Sequence, residues 1–579
     1  MIEYLAPSLE PYKGCTLIDV HPGACLWSAK LHEFLKPKRH ILMEPEMNYY
    51  DPFIKPLLHQ PNSTYRHTTL TGAHARSYWD NYRTILDDPD MCTDRPALAP
   101  GDPKLRELDT SILLTGNLCR KYYLGEGINV QNRVDQTPLV LQHMTYAALT
   151  NSIFQRSGLV RMLWWAPEDQ KAFILPTNVR ARKSFDVGLS VGSNVTEVAG
   201  VERRELEETR SKSETKRLPA MDGSVQARVQ RGMDERGQKI PSDREMPQSA
   251  PLPPLEDDAH FRNSITKTTC TSLSELRTAL KDFKEHLDAF TEDIEKVQQM
   301  LRARDFKKLK FTIVDGDKLI EKNVRYQQAI DCVDSRPKDL YLSKSPQVRL
   351  RAVLLLDLQA RLVNLESNYA AVAESKPNAK ALESIREKIL AFDEACTELM
   401  QLAPQGAMDS CQLLMEDIMS CEAQTPHLQR DRRAYEPLQA RVDEFWPHYP
   451  LTLLDLMPHT TDLSAPGVAD GVEGARVCQE LCKHLFATPA ATIAASLDRM
   501  APNAAKDLIP LVPDISDARK GGRLNPHKVT VRMMTPEMMG GLVRAFLEWP
   551  FRPSTYEMAL QGEWEPKGNE DSEEAAEEH

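Results

Sequence analysis

The sequence predicts a doubly wound α/β domain, interrupted by a large helical insertion and followed by a helical domain near the C-terminus. Three observations carry this reading. From Gly14 to about Phe185, short apolar runs alternate with amphipathic stretches, the pattern of a parallel sheet covered by helices. The stretch from Asp186 to His260 holds no Phe, Trp or Tyr, and its later part mixes both charge signs with repeated prolines. Beyond it, apolar residues return at three- and four-residue steps, the period of amphipathic helices.

The candidate strands of the first domain, residues 1–201, are Thr16–Val20, His40–Met43, Ser111–Leu114 and Val160–Trp165. Each ends at a polar or small residue, where such sheets place their ligands. Residues 202–268 cannot bury enough apolar area to offset their ordering entropy, so a disordered linker is expected there. Leu273, Leu276, Leu280, Phe283, Leu287, Phe290, Ile294 and Val297 then form a helical stripe, opened by Ser272 and Glu275 as a capping box. Two further stripes run from Leu355 to Val372 and from Leu382 to Leu399. Helices in such succession predict an antiparallel bundle over 269–425. In the return segment, 426–462, Phe445-Trp446-Pro447 leads into Leu451–Met457, an apolar run that reads as a buried strand completing the first domain through 445–460. Residues 463–560 look helical again, with stops at Pro502, Pro510, Pro526 and Pro553. The last segment, 561–579, ends in ten residues of which six are acidic, a solvated tail.

A net charge of −12 argues against coating nucleic acid by bulk attraction, although a local basic face remains open. Between Asn151 and Phe185, six basic residues stand against two acids. Arg180, Arg182 and Lys183 from that stretch, with Arg432 and Arg433 beside Arg430 and Tyr435, are candidate phosphate contacts; ordinary solvated charge is the competing reading. The eleven cysteines include no C-x-x-C pair and suggest a reducing compartment without a disulfide framework. Cys478 and Cys482 read as buried thiols rather than metal ligands, and Trp164-Trp165 as core packing. No apolar run is long enough to cross a bilayer, so no membrane role is expected. Met1–Glu10 contains Glu3 and Glu10 and no arginine, unlike a transit peptide.

Chemistry concentrates at Leu17-Ile18-Asp19-Val20-His21-Pro22-Gly23-Ala24-Cys25. A strand ends at an acid, and a turn around Gly23 opens a helix. Glycine there lets the backbone approach a nucleotide-like ligand. A second strand ends in Glu44, at a distance that suits an acid accepting both ribose hydroxyls.

Asp19–Ser28 resembles the first motif of the ribosomal RNA adenine-N6 dimethyltransferases and their relatives, the mitochondrial transcription factors B, in which an acid precedes Gly-Pro-Gly-x-Gly. Thr115-Gly116-Asn117-Leu118 falls where that family places Asn-Leu-Pro-Tyr or Asn-Leu-Pro-Phe. Val160–Pro176 is similar to the following strand and helix, and Phe445–Pro458 to a Phe-x-Pro segment with the final strand. Val531–Pro553 looks like the C-terminal helix of the fungal mitochondrial members, the branch of mitochondrial transcription factor 1. The resemblance covers residues 1–201 and 426–560 and implies a class I S-adenosylmethionine-methyltransferase-like, Rossmann-like sheet. It implies a last antiparallel hairpin from Arg182–Val198 and Leu451–Met457. It assigns S-adenosylmethionine to Asp19, Gly23, Cys25 and Glu44, and the target adenine to Asn117 and Leu118 with Cys119 and Arg120.

The departures point away from methyl transfer. His21 and Cys25 replace two of the three glycines, placing side chains where cofactor and backbone should meet. Thr64–Ala73 has no aspartate for the adenine ring, and Cys119-Arg120 replaces proline and the aromatic residue that stacks on a flipped base. Weak or absent S-adenosylmethionine binding is therefore expected. The resemblance implies a transcription initiation factor of the mitochondrial matrix, assisting a single-subunit mitochondrial RNA polymerase on melted or single-stranded promoter DNA. An active rRNA adenine dimethyltransferase and a non-catalytic rRNA-binding assembly factor stay open beside it.

Overall fold

Five strands run parallel in the first part of the chain: β1 (Thr16–Val20), β2 (Arg39–Met43), β3 (Tyr65–Thr68), β4 (Ile112–Asn117) and β5 (Met162–Pro167). The computed structural model in which they are seen describes residues 1–73, 78–92, 96–119, 137–201, 219–245, 270–302, 346–375, 378–401, 405–445, 448–463 and 471–554. Four of the strands lie on the predicted apolar runs. The sequence pattern misses β3, an edge strand in which only Tyr65 is buried.

Three more strands, β6 (Ser193–Val201), β7 (Leu438–Ala440) and β8 (Leu451–Pro458), complete an eight-stranded, mostly parallel sheet of order β3-β2-β1-β4-β5-β8-β6-β7. The result is a mixed α/β fold compatible with a Rossmann-like arrangement. β8 enters antiparallel between β5 and β6, as expected of the last hairpin. The expected strand Arg182–Val198 needs correction, because Ser184–Gly192 is a helix and the strand begins only at Ser193. Asp186 accepts the Lys183 N–H at 2.5 Å and so starts that helix, whose Phe185, Val187, Leu189 and Val191 all find apolar cover.

Strand side chains alternate between two cores. Leu17, Leu113, Leu163 and Leu453 face one side, with α1 (Ile2–Leu9) and α2 (Leu26–Leu35). Ile18, Leu114, Trp164 and Leu454 face the other, with α4 (Tyr78–Asp87) and α5 (Thr137–Leu149), while α3 (Met47–Leu58) caps a small core at Leu42 and Tyr65. After α6 (Glu168–Ile174), the helix over Ser184–Gly192, α7, reaches both cores. β5 and β8 are also tied by a buried ion pair in which Arg161 donates to both Asp455 oxygens, at 2.9 and 2.6 Å.

The expected linker is also corrected in part. Within it, α8 (Pro219–Glu235) buries Met221, Val225, Val229 and Met233 in the same core as α1. That stripe recurs every four residues but is one side chain wide and lacks aromatics, so charge and proline content obscured it. The turn after α8 covers β7, where Gln439 N–H donates to Arg244 O at 2.8 Å. The rest of the expected linker lies outside the described residues.

The bundle consists of α9 (Leu273–Arg302), α10 (Pro346–Glu374) and α11 (Ala379–Gln401), which share a core through the predicted stripes. α12 (Gln405–Glu422) leaves that core and joins the main one through Leu414, Met415 and Met419. The C-terminal domain contains α13 (Gly471–Leu485), α14 (Ile493–Met500), α15 (Ala504–Leu508) and α16 (Pro536–Glu548). Charge pairs fasten the bundle to it, Arg523 binding Glu366 and Asp393 and Lys528 binding Asp393, while Arg532 binds Glu416 of α12. Among the described residues no helix is long and apolar enough to cross a membrane. Cys478 and Cys482 are buried free thiols.

Candidate functional site at the ends of the central strands

The turn after β1 keeps a glycine-like backbone at three positions although only Gly23 is glycine. His21, Gly23 and Cys25 have φ of 53°, 58° and 58°. Left-handed conformation costs a residue with a Cβ about 1–2 kcal/mol, so surrounding bonds must hold His21 and Cys25 there. His21 N–H donates to Met43 O at 3.0 Å. Thr71 Oγ1 donates to Ala73 O at 2.6 Å, so it accepts from His21 Nε2–H at 2.8 Å. Cys25 is buried among Leu42, Ile54 and Tyr65. Burial first, then Asp19 and Glu44, pushes its thiol up to about 12, which makes it a neutral packing group. The expectation for these two side chains is thus modified: Cys25 turns into a core, and His21 reaches across to the segment after β3.

Glu44 sits at the end of β2, 1% exposed. Its Oε2 accepts Gly23 N–H at 3.2 Å and its Oε1 accepts Glu46 N–H at 3.0 Å. The carboxylate expected to hold ribose hydroxyls therefore already serves two backbone donors. Over the same turn lies the Tyr50 ring, whose Cε1 is 3.5 Å from where a Cβ on Gly23 would stand.

Asp19, close enough to act on the Cys25 thiol, is bonded on its other side. Its Oδ2 is 3.3 Å from Nε2 of buried His40, whose Nδ1 is in turn 3.0 Å from His32 Nδ1. Both imidazoles stack on Tyr65, with centroids 4.0 and 4.7 Å away. Burial, then His40, lowers His32 to about 4. Asp19 thus anchors a stack beneath α2 through one carboxylate oxygen.

At the end of β4 the chain needs Gly116, because a Cβ there would lie 2.7 Å from Trp164 and from Val20. Asn117 follows, half-buried, and its Oδ1 accepts Cys119 N–H at 2.8 Å. Leu118 is buried, donates its N–H to Trp165 O at 2.8 Å, and its carbonyl accepts Thr137 Oγ1–H at 3.4 Å. The loop is thus folded back onto β5 and itself. Arg120 lies outside the described residues. Sequence reasoning missed Trp27, whose Nε1–H donates to Thr115 Oγ1 at 3.0 Å and whose ring meets Trp165 edge-on at 5.9 Å. Only its place just inside the helix after the turn could have marked it.

The basic stretch mostly turns inward. Arg156 pairs with Asp87, Arg161 with Asp455, and Lys171 with Glu168 and Glu197. Arg182 is 1% exposed, donates to Asp186 at 3.1 Å and to Arg532 O at 2.7 Å, and is removed from the phosphate contacts. Arg433 is held by Glu436 at 2.8 Å. Arg432 Nε–H donates to Pro426 O, and burial lowers the pKa of its guanidinium. Both are bracing residues rather than free surface cations. Arg180 and Lys183 remain exposed. Among the described residues no cluster of His, Cys, Asp or Glu could hold a metal ion.

No family model matches the chain, and no curated protein matches it.

Proposed function

We propose that this chain is a non-catalytic, nucleic-acid-binding relative of the rRNA adenine-N6 dimethyltransferases and mitochondrial transcription factors B. In this reading it acts as an initiation factor that helps a single-subunit mitochondrial RNA polymerase open its promoter. Support comes from the sheet order, with an antiparallel strand between β5 and β6, and from the turn, Glu44 and Asn117 at the ends of β1, β2 and β4. These features suit a class I methyltransferase-like ancestry.

One observation carries the non-catalytic half, the bond from Cys119 N–H to Asn117 Oδ1. Proline, which the family pattern places at this position, has no N–H, and the asparagine oxygen is then left for the target amine. Cysteine supplies a donor that takes one of the two lone pairs of that oxygen. A substrate amine meets an acceptor already turned into the loop by a bond worth about 1 kcal/mol net, with one lone pair left to accept. The cofactor side agrees, since Glu44 is engaged by the turn itself and Tyr50 lies over Gly23. These residues do not fit an open S-adenosylmethionine cradle, and no methyl-transfer step is derived from them.

The test combines calorimetry against S-adenosylmethionine with capture of the chain from mitochondrial extract. The expected result is no binding heat, with RNA polymerase recovered alongside the chain. Micromolar cofactor affinity with methyl transfer to small-subunit rRNA would establish the dimethyltransferase instead. Recovery of the small ribosomal subunit without either would indicate an assembly factor.

A further inference from the structure

We infer that α8, with the turn after it, is a reversible strap, and that the groove beneath it takes an amphipathic helix from a partner protein. The inference is independent of the nucleic-acid reading above. α8 buries Met221, Val225, Val229 and Met233, spaced four apart on one face, against α12 and the core shared with α1. Its polar contacts run along the return segment. Arg228 donates to Asp431 O at 2.6 Å, Arg236 donates to Ala434 O, and Met233 Sδ accepts Glu436 N–H at 3.3 Å. Asp222 meets Arg430 at 3.9 Å, and at the far end of the strap Arg244 pairs with exposed Glu444 at 2.6 Å.

Three features make this docking weaker than that of the neighbouring elements. The apolar stripe is one side chain wide, and two of its four members are methionines, which adapt to a surface rather than lock into it. Gly232 stands inside the helix, where glycine disfavours folding relative to alanine. A Cβ there would lie 3.3 Å from Arg236 Nη1, the end of a flexible side chain, so packing does not demand the glycine. Arg228 and Arg236, which hold the strap to backbone carbonyls, are themselves exposed. The bundle is fastened differently, since Arg523 reaches the buried carboxylates of Glu366 and Asp393. A lone helix of this length is marginal in water, so α8 owes its fold to the groove and melts when it leaves. The vacated groove keeps an apolar floor and the bare carbonyls of Asp431 and Ala434. These define the partner: a helix with apolar residues four apart over three turns, and an arginine three positions after the second and the fourth.

Two measurements on the full chain test this. Hydrogen exchange read by mass spectrometry should show α8 exchanging at least about tenfold faster than β5 and β8, through local opening. Gly232→Ala should slow α8 alone, by about two- to fivefold, the range for replacing glycine with alanine inside a helix. An α8 as protected as β5 opens only with the whole domain, and the strap is then wrong. The groove is probed by anisotropy with a fluorescein-labelled peptide of residues 219–245. Val225→Asp with Val229→Asp should expel α8, and the peptide should bind that chain at least about tenfold more tightly than the wild type, whose own α8 competes for the site. A peptide carrying the same two aspartates should not bind. Where the double variant folds poorly, Gly232→Ala in the chain takes its place and should weaken peptide binding by about the same two- to fivefold. Equal affinity of the peptide for all chains, or none for any, overturns the groove.

Discussion

Replacing Glu44 by alanine separates a carboxylate that builds the turn from one that waits for a ligand. In the structure its two oxygens accept Gly23 N–H at 3.2 Å and Glu46 N–H at 3.0 Å, and the side chain is buried. Hydrogen bonds to a charged acceptor contribute about 1.5–3 kcal/mol each, and the longer Gly23 bond belongs at the lower end. Removing a buried carboxylate also relieves its own desolvation, which offsets part of that loss. The net destabilisation expected is about 3 kcal/mol, with strained His21 and Cys25 released in the same turn. Glu44→Gln keeps one acceptor and should lose about half as much. Urea unfolding gives the total, and hydrogen exchange of the 16–35 segment shows whether the loss is local; both are measured without S-adenosylmethionine. An alanine variant as stable as the wild type, combined with loss of a micromolar cofactor affinity, would refute the self-filled turn.

Four further outcomes are expected. Arg161→Met leaves Asp455 charged and unpaired between β5 and β8 and should cost about 3–5 kcal/mol, while adding Asp455→Leu should recover most of it in the same urea melts. Gly521 has φ +85°, and a Cβ there would run into the buried His427 ring; Gly521→Ala should destabilise by about 2 kcal/mol or more, and His427→Ala in the same chain should relieve part. His32 and His427 are lowered to about 4 and about 3 from 6.5, mainly by burial; the unfolded chain therefore binds their protons first, stability falls as pH drops from 6.5 toward 4, and His32→Asn should reduce that slope. With its thiol near 12, Cys25 should resist iodoacetamide at neutral pH until the chain unfolds, as mass spectrometry of labelled peptides would show.

Legibility in the sequence followed the range of the interactions involved. β1 matches its predicted bounds because its whole apolar run is buried, and the stripes of α9, α10 and α11 were readable because each helix repeats its own pattern. β3 and β7 escaped because edge strands of four and three residues carry too little periodicity. The resemblance implies a strand from Arg182 onward, but Phe185, Val187, Leu189 and Val191 are buried on two cores by a helix, and the strand starts only after it. The pairing of most of the basic residues was hidden for another reason. Counting charges along 151–185 cannot reveal that Arg161 meets Asp455 or Arg156 meets Asp87, since those acids arrive from distant segments. At the site, the replaced glycines were visible in the sequence, but the way their side chains are housed was not. The engagement of Asn117 by Cys119 was within reach, because proline lacks the donor that any other residue at 119 supplies.

The proposed role in initiation is tested most directly by run-off transcription with a single-subunit mitochondrial RNA polymerase on linear promoter DNA. Duplex and pre-melted templates are compared with and without the chain, and with and without S-adenosylmethionine. The account predicts that initiation on the duplex depends on the chain, that the pre-melted template initiates without it, and that S-adenosylmethionine changes neither result. Duplex initiation indifferent to the chain, together with methyl transfer from S-adenosylmethionine to rRNA, would contradict it.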